Sequence, residues 1–307
     1  ISACLVGSEM CIRDSFLPPW QQVAEVGKTP ALRGEDGVYA VIEQLAGVRL
    51  PASAWESLVF PSRVGYYEPG FLDALTSDGE VMIVGAGAAG AQDPWIMLLP
   101  TEYASQLLPD TVEEPSLSAV QESVLTVLSR GGGFFFPQLL AEVTGGELGL
   151  GLGHTVTAEE LREAMWGLVE LGLVSPDTFD PIRARLNGGS GGGGTAHKAK
   201  RRPRRSRLRM GRTSFAQAQR PSTPPDMQGR WSLTPPAETD PTNRSVAHGE
   251  AWLDRYGVVT RGSVVTENVL GGFALAYKVL SGFEESGKSM RGYVVEGLGA
   301  AQFSTPA

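Results

Sequence analysis

Residues 80–100 read EVMIVGAGAAGAQDPWIMLLP, and two folds compete for them. Val81 to Gly90 matches G-x-G-x-x-G after a strand-like run, the fingerprint of a dinucleotide-binding βαβ unit. That mechanism needs a helix to begin at the third glycine, so that its free N–H groups can receive a pyrophosphate. Here Gly90 is followed by Ala91-Gln92-Asp93-Pro94 and then by the strand-like Trp95–Leu99, closed by Pro100, which leaves no room for a helix. An acidic residue about twenty positions on should end a second strand. Asp110, Glu113 and Glu114 sit instead in a Pro-flanked loop. The runs Glu80–Val84 and Trp95–Leu99 therefore read as a β-hairpin with glycines at its tip.

Upstream of that hairpin the period is helical. Val38, Val41, Ile42 and Leu45 fall at i, i+3, i+4 and i+7; a second short helix fits Ala52 to Val59 and a third fits Pro69 to Thr76. Three short helices followed by a hairpin is the winged helix-turn-helix plan. The pattern recurs in Leu117, Val120, Val124 and Val127, in a short helix from Phe135 to Val143, and in a third helix bearing Leu161, Met165 and Leu168. Thr157 with Glu160 forms a capping box at the start of that third helix. A third unit opens at Asp240-Pro241, an N-cap followed by Pro at N1, and its helix carries Val246, Leu253 and Tyr256. Short and long helices near Arg261–Glu267 and from Phe273 through Leu280 follow, and then a strand over Arg291–Glu296. Trp55, Trp166, Trp231 and Trp252 read as core aromatics.

The fold class expected is mainly α with short β-hairpins (α+β): tandem winged helix-turn-helix units joined by a disordered basic linker. Residues 16–110 form the first unit, 111–187 the second, 188–228 a Gly/Arg/Pro-rich linker and 229–307 the third, with Trp231 marking re-entry into folded structure. Residues 1–15 resemble translated sequencing-adapter read-through and are set aside as an artefact; that would make Cys4 and Cys11, the chain's two cysteines, artefactual as well.

Charge is distributed unevenly. Twelve of the 26 basic residues fall in residues 181–225, which hold none of the 34 acidic ones, so the rest of the chain carries 14 basic against 34 acidic groups. This is an acidic protein with one basic strap. Nine of the fifteen residues from Lys198 to Arg212 are cationic: Lys198, Lys200, Arg201, Arg202, Arg204, Arg205, Arg207, Arg209 and Arg212. Such a run binds nucleic acid through counterion release without reading sequence; the alternative is a solvated spacer kept extended by its charge. The third helix of the second unit opposes Glu159, Glu160, Glu163 and Glu170 to a lone Arg162, which suits a scaffold or protein contact better than a phosphate backbone. The first unit, with Glu68 and Asp73, is little better. The third unit offers Arg261, Lys278, Lys288 and Arg291 around its helix and strand, diluted by Glu284 and Glu285, and is the expected reader.

Several chemistries find no support. The three histidines, at 154, 197 and 248, are far apart in sequence, and no Walker A run or nucleophile-elbow spacing occurs. No apolar run reaches the ~18 residues of a membrane helix. No catalytic, cofactor-binding or metal residue is assigned.

Long ordered blocks carry a family resemblance: PASAWESLVFPSRV (51–64), GLVSPDTFDPIRARL (172–186), GTAHKAK (194–200), GRWSL (229–233), GVVTRG (257–262), GGFALAYKVLSGFEESG (271–287) and RGYVVEGLGAAQF (291–303). Over Val38 to Phe303 the chain resembles the C-terminal region of Lhr-type, large helicase-related superfamily 2 DNA helicases, with Ser175-Pro176-Asp177-Thr178 where members usually read T-N-D-T. The resemblance implies a parent that couples ATP hydrolysis to 3′-to-5′ movement on single-stranded DNA in repair, with ATP and Mg²⁺ in motor domains missing from this fragment and a β-barrel following the third unit. It implies DNA, single-stranded or duplex, the parent's own motor and barrel as partners, no membrane, and a cytoplasmic location. Left open are a glycosylase-like repair module, for which no residue can be placed, and a structural or homo-oligomeric scaffold.

Overall fold

In each of the three units a two-residue strand (Leu50–Pro51, Phe134–Phe135 or Val258–Val259) runs directly into or just ahead of a helix and forms one edge of a three-stranded sheet. The computed structural model describes residues 16–25, 28–109, 115–145, 155–188, 223–267, 269, 271–295 and 301–306. The first unit runs α1 (Leu17–Trp20), β1 (Leu32–Arg33), α2 (Gly34–Gln44), β2 (Leu50–Pro51) and α3 (Ala52–Ala54), which continues as a π turn over Trp55–Val59. It goes on through β3 (Val64–Gly65), α4 (Pro69–Ser77), the hairpin β4 (Val81–Ala88) and β5 (Pro94–Pro100), and α5 (Ala104–Leu107). Val38, Val41 and Ile42 of α2 face inward, as their spacing requires, while Glu35 and Asp36 sit in its first turn, where the helix dipole favours acids. Strand β5 is central, pairing Leu50 with Ile96 and Ile83 with Leu98.

The second unit comprises α6 (Ala119–Leu128), β6 (Phe134–Phe135), α7 (Phe136–Gly145), α8 (Ala158–Glu170), β7 (Val174–Pro176), α9 (Asp180–Leu186) and β8 (Arg230–Leu233). The capping box at Thr157 and Glu160 is formed, each group serving the other's backbone N–H. The third unit comprises α10 (Pro241–Tyr256), β9 (Val258–Val259), α11 (Arg261–Thr266), α12 (Gly272–Glu285), β10 (Met290–Gly292) and β11 (Gln302–Ser304). Asp240 caps α10 by accepting from the Thr242 N–H at 2.7 Å. The sheet orders are β2-β5-β4, β6-β8-β7 and β9-β11-β10: in every unit the last strand lies between the other two.

That topology corrects the reading of residues 223–233. They were expected to split between a linker and the third unit, yet β8 is the central strand of the second unit, with Trp231 opposite both Phe134 and Pro176. Trp231 is fully buried and meets Trp166 edge-on at 6.1 Å. Asp226 and Met227 are equally buried, and Asp226 Oδ2 accepts from Arg162 Nε at 2.7 Å and from Trp166 Nε1 at 3.1 Å. A strand that fills an open sheet slot and buries a Trp belongs to that sheet, whatever low-complexity sequence precedes it. In sequence the basic run therefore falls between α9 and β8, ahead of the strand that completes the second unit's sheet. Most of the predicted linker, residues 189–222, lies outside the described residues, as do residues 1–15.

Two smaller corrections concern unpredicted elements. Helix α9 has too few residues for a clear period, and β11 was not anticipated. The strand expected over Arg291–Glu296 ends at Gly292. Gln302 is buried, and its Oε1 accepts from the Val294 and Val295 N–H groups at 3.0 and 2.7 Å, so those residues leave the strand ladder for a side chain.

The first two units share one core, in which Trp55, Phe60 and Leu72 are continuous with Val124, Leu161 and Trp231. Their junction depends on glycine. A Cβ at Gly85 would fall 1.7 Å from the Val169 carbonyl oxygen, and one at Gly172 (φ 72°) would fall 2.7 Å from the Gly85 oxygen. Strand β4 thus lies backbone-to-backbone against the end of α8. The third unit has its own core around Trp252, Val259, Leu280 and Phe303. Its α10 lays Ala247 and Ala251 against a cluster containing Met97, Leu107 and Leu108 of the first unit. Arg255, 3% exposed, locks this contact by bonding to Glu267 and to the carbonyls of Gln44 and Ala46. Among the described residues no helix is long and apolar enough to cross a membrane.

Candidate nucleic-acid interface

The stretch between α9 and β8 of the second unit carries the densest positive charge in the sequence, and the structure describes what flanks it. On one side stands α9, on the other the turn Pro225–Met227 and β8. The nine cations from Lys198 to Arg212 themselves lie outside the described residues. Two further members of the basic region, Arg183 and Arg185, are committed internally. Arg185 bonds to Glu170 at 3.1 Å and stacks 4.4 Å over the Trp166 ring. Arg183 donates to both oxygens of Glu56 at 2.8 Å, to Asp73 at 2.8 and 2.9 Å and to Asp180 at 2.8 Å. Burial works against its charge, but the bonds to Glu56 and Asp73 outweigh it and raise its pKa. The same hub takes in Tyr67, whose hydroxyl donates to Glu56 at 2.7 Å; burial, then the Glu56 carboxylate, pushes that phenol upward.

This hub decides what the third helices of the first two units can do. Asp73 lies on α4, and the Pro69 carbonyl at its start also accepts from Arg183 at 3.3 Å, so α9 covers part of the helix that would enter a DNA groove. On α8 the one cation, Arg162, is held by buried Asp226 and by Glu159, leaving Glu159, Glu160 and Glu163 on an exposed acidic face. Neither helix presents free positive charge.

The third unit differs. Arg261 at the start of α11 and Lys278 on α12 are exposed, and no ion pair engages either among the described residues. Arg291 is half-exposed but partnered: it sits 3.4 Å from Glu284, donates to the Tyr277 hydroxyl at 2.7 Å and lies 6.0 Å from that ring's centre. Lys288 pairs with Glu250 at 2.6 Å. Of the cations expected around this helix and strand, two are free and two are engaged. Sequence reasoning missed the aromatics: Tyr293 is 81% exposed on the wing, and Met290 and Tyr277 are exposed beside Arg291. Their strand and helix positions could have flagged them, because they fall off the buried stripe.

Other singled-out residues find structural roles. The glycines of residues 85–90 lie in β4 and its turn, with Gly85 packed against α8, so the stretch forms no phosphate cradle. His248 stacks on Trp252 at 5.9 Å. His154 and His197 lie outside the described residues. Among the described residues no group of three or more His, Cys, Asp and Glu is placed to hold a metal.

Three sheets of identical strand order, each attached to three helices with the third set before a two-stranded wing, define a tandem winged-helix protein. Family models of the winged-helix domain of large helicase-related proteins match residues 11–101 and 238–307. The chain belongs to that family, as part of its winged-helix region. A Mycolicibacterium smegmatis protein described as "Lhr helicase/ probable uracil glycosylase" is 44% identical over 289 residues, covering 94% of this chain and 18% of the relative. An Escherichia coli "Lhr helicase/uracil glycosylase" is 38% identical over 276 residues, covering 88% of this chain and 17% of the relative. The chain therefore spans less than a fifth of either relative's length.

Proposed function

We propose that this chain is the nucleic-acid-binding winged-helix region of a cytoplasmic DNA-repair helicase, and that it grips DNA through the basic run between α9 and β8 of its second unit. The observation that carries the reading is the place of the charge. Nine cations within fifteen residues fall in the stretch of sequence between α9 and β8 of the second unit, while the third helices of the first two units are acidic or covered. The contact set is Lys198, Lys200, Arg201, Arg202, Arg204, Arg205, Arg207, Arg209 and Arg212, supplemented by Arg261, Lys278 and Arg291 of the third unit. ATP and Mg²⁺ act in motor domains of the longer protein, which with a C-terminal barrel are this region's intramolecular partners. Here the units hold DNA, single-stranded or duplex, for the motor.

Labelled single-stranded and duplex DNA, titrated across a salt series with the chain and with a variant carrying glutamine at the nine cations from Lys198 to Arg212, tests this. The salt slope should fall by about 0.7–0.9 for each phosphate that is no longer neutralised. Equal affinity and equal slope in the two proteins would refute the basic run as the contact. The relatives' names support a second reading, in which the units hold a duplex around a flipped base. Base excision by a full-length parent with a disabled motor would favour it, and its absence would sink it.

A further inference from the structure

Tyr66 stands in the turn that leads into α4 with φ 56°, in the left-handed region, and is 81% exposed. A side chain with a Cβ is disfavoured there, whereas glycine or asparagine would make the same turn more cheaply. Its neighbours show why the turn is needed. On one side Val64–Gly65 pairs in parallel with Leu32–Arg33; on the other Tyr67 packs against Phe60 at 5.0 Å and Phe71 at 6.5 Å. The turn half-buries Tyr67 against the core and puts Tyr66 outside. It does not require a ring at position 66, and that exposed ring recovers little from burial.

What the ring does touch is a cation. Arg33, opposite Gly65 in the strand register, holds its guanidinium 5.2 Å from the Tyr66 ring centre. Gly65 makes the path: a Cβ there would fall 1.8 Å from Arg33 Nη1. Arg33 has no carboxylate partner among the described residues, in contrast to Arg183, Arg162 and Arg255. An arginine without a carboxylate partner beside a solvent-facing tyrosine is a place where an unstacked base meets a ring while its phosphate meets a charge. A duplex cannot offer a base face to such a ring, and the adjoining α4 is partly covered by α9. Strain left unrelieved within the molecule, together with this geometry, points outward to a ligand.

We propose that Tyr66 and Arg33 form a base-stacking site on the first unit, which takes an unpaired nucleobase of single-stranded nucleic acid. This rests on the nucleic-acid reading above and adds to it a site and a strand preference.

The test uses the whole chain with Tyr66→Phe, Tyr66→Gly and Tyr66→Asn, titrated against a fluorescein-labelled oligothymidylate and a hairpin duplex, with melting temperatures recorded for each protein. Gly and Asn variants should melt at or above the parent, because the left-handed turn suits them, and should bind the single strand about ten-fold more weakly. Duplex affinity should not change, and the Phe variant should bind like the parent. The site is overturned if the Gly variant binds the single strand as tightly as the parent, or loses single-strand and duplex affinity alike. If the parent binds neither DNA, the nucleic-acid reading falls and this site with it. If the parent binds and loses binding when the cations from Lys198 to Arg212 are replaced, while the Gly variant is unaffected, this site alone is refuted.

Discussion

Replacing Gly85 with alanine should separate a packing glycine from a loop glycine. The added Cβ would lie 1.7 Å from the Val169 carbonyl oxygen and 2.7 Å from its carbon, well inside any tolerated contact. Both obstructing atoms are backbone, at the end of α8, so no rotamer change can make room; strand and helix must move apart by more than an ångström. Overpacking of this kind costs about 1–3 kcal/mol, and a backbone obstruction belongs near ~3 kcal/mol. At roughly 2–4 °C for each kcal/mol in folds of this size, the melting temperature should fall by about 6–12 °C. Gly90→Ala is the control. Nothing lies within 4 Å of its added Cβ, and the change should stay within about 0.5 kcal/mol. Thermal melts followed by circular dichroism, with urea midpoints as a second measure, decide it. If the Gly85 variant melts with the parent, or the Gly90 variant falls equally, the close approach of β4 to α8 is wrong.

Two further substitutions probe the joints around that contact. Arg183→Met removes the cation shared by Glu56, Asp73 and Asp180, and should lower stability at pH 7 by about 2–3 kcal/mol, discounted for the partial exposure of the group. Burial already raises the Asp73 pKa while Arg183 pulls it down; without the arginine it rises further, so the folded state holds that proton more tightly than the unfolded chain. The deficit is therefore largest above the ordinary aspartate range and shrinks as pH falls through it, which urea midpoints at pH 7 and pH 4 will show; a deficit that grows on acidification would contradict the assignment. Asp226→Ala leaves Arg162 and the Trp166 N–H without their buried acceptor, and should cost about 3 kcal/mol, read from tryptophan fluorescence during unfolding. An unchanged transition would mean that residues 223–233 do not close the second unit's sheet.

Much of this architecture is legible in local chemistry. Periodicity places Val38, Val41 and Ile42 on one buried face, and the 80–100 stretch excludes a helix after Gly90 simply by holding a second strand and two prolines there. The caps at Thr157 and Asp240 are read from residue type and spacing, because a cap is a contact between neighbours in sequence. The candidate interface was partly legible for the same reason: a run of cations announces itself, whereas Tyr66, Tyr293 and the Arg33 pairing depend on which side of a turn or strand faces solvent.

Sequence by itself determined the longer helices, the first unit's hairpin, the number of units and the site of concentrated charge, since each follows from spacings within about twenty residues. Tertiary structure alone decided which strand completes which sheet, and therefore that β8, which follows the basic run, closes the second unit rather than opening the third. The partner of β8 is chosen by an open edge and a tryptophan-sized space between β6 and β7, and the same distant pairing tells which arginines are free and which are held: Arg183 and Arg162 are bound to carboxylates 127 and 64 residues away. Such contacts leave no local pattern, because their free energy comes from surfaces that meet only once the chain has folded.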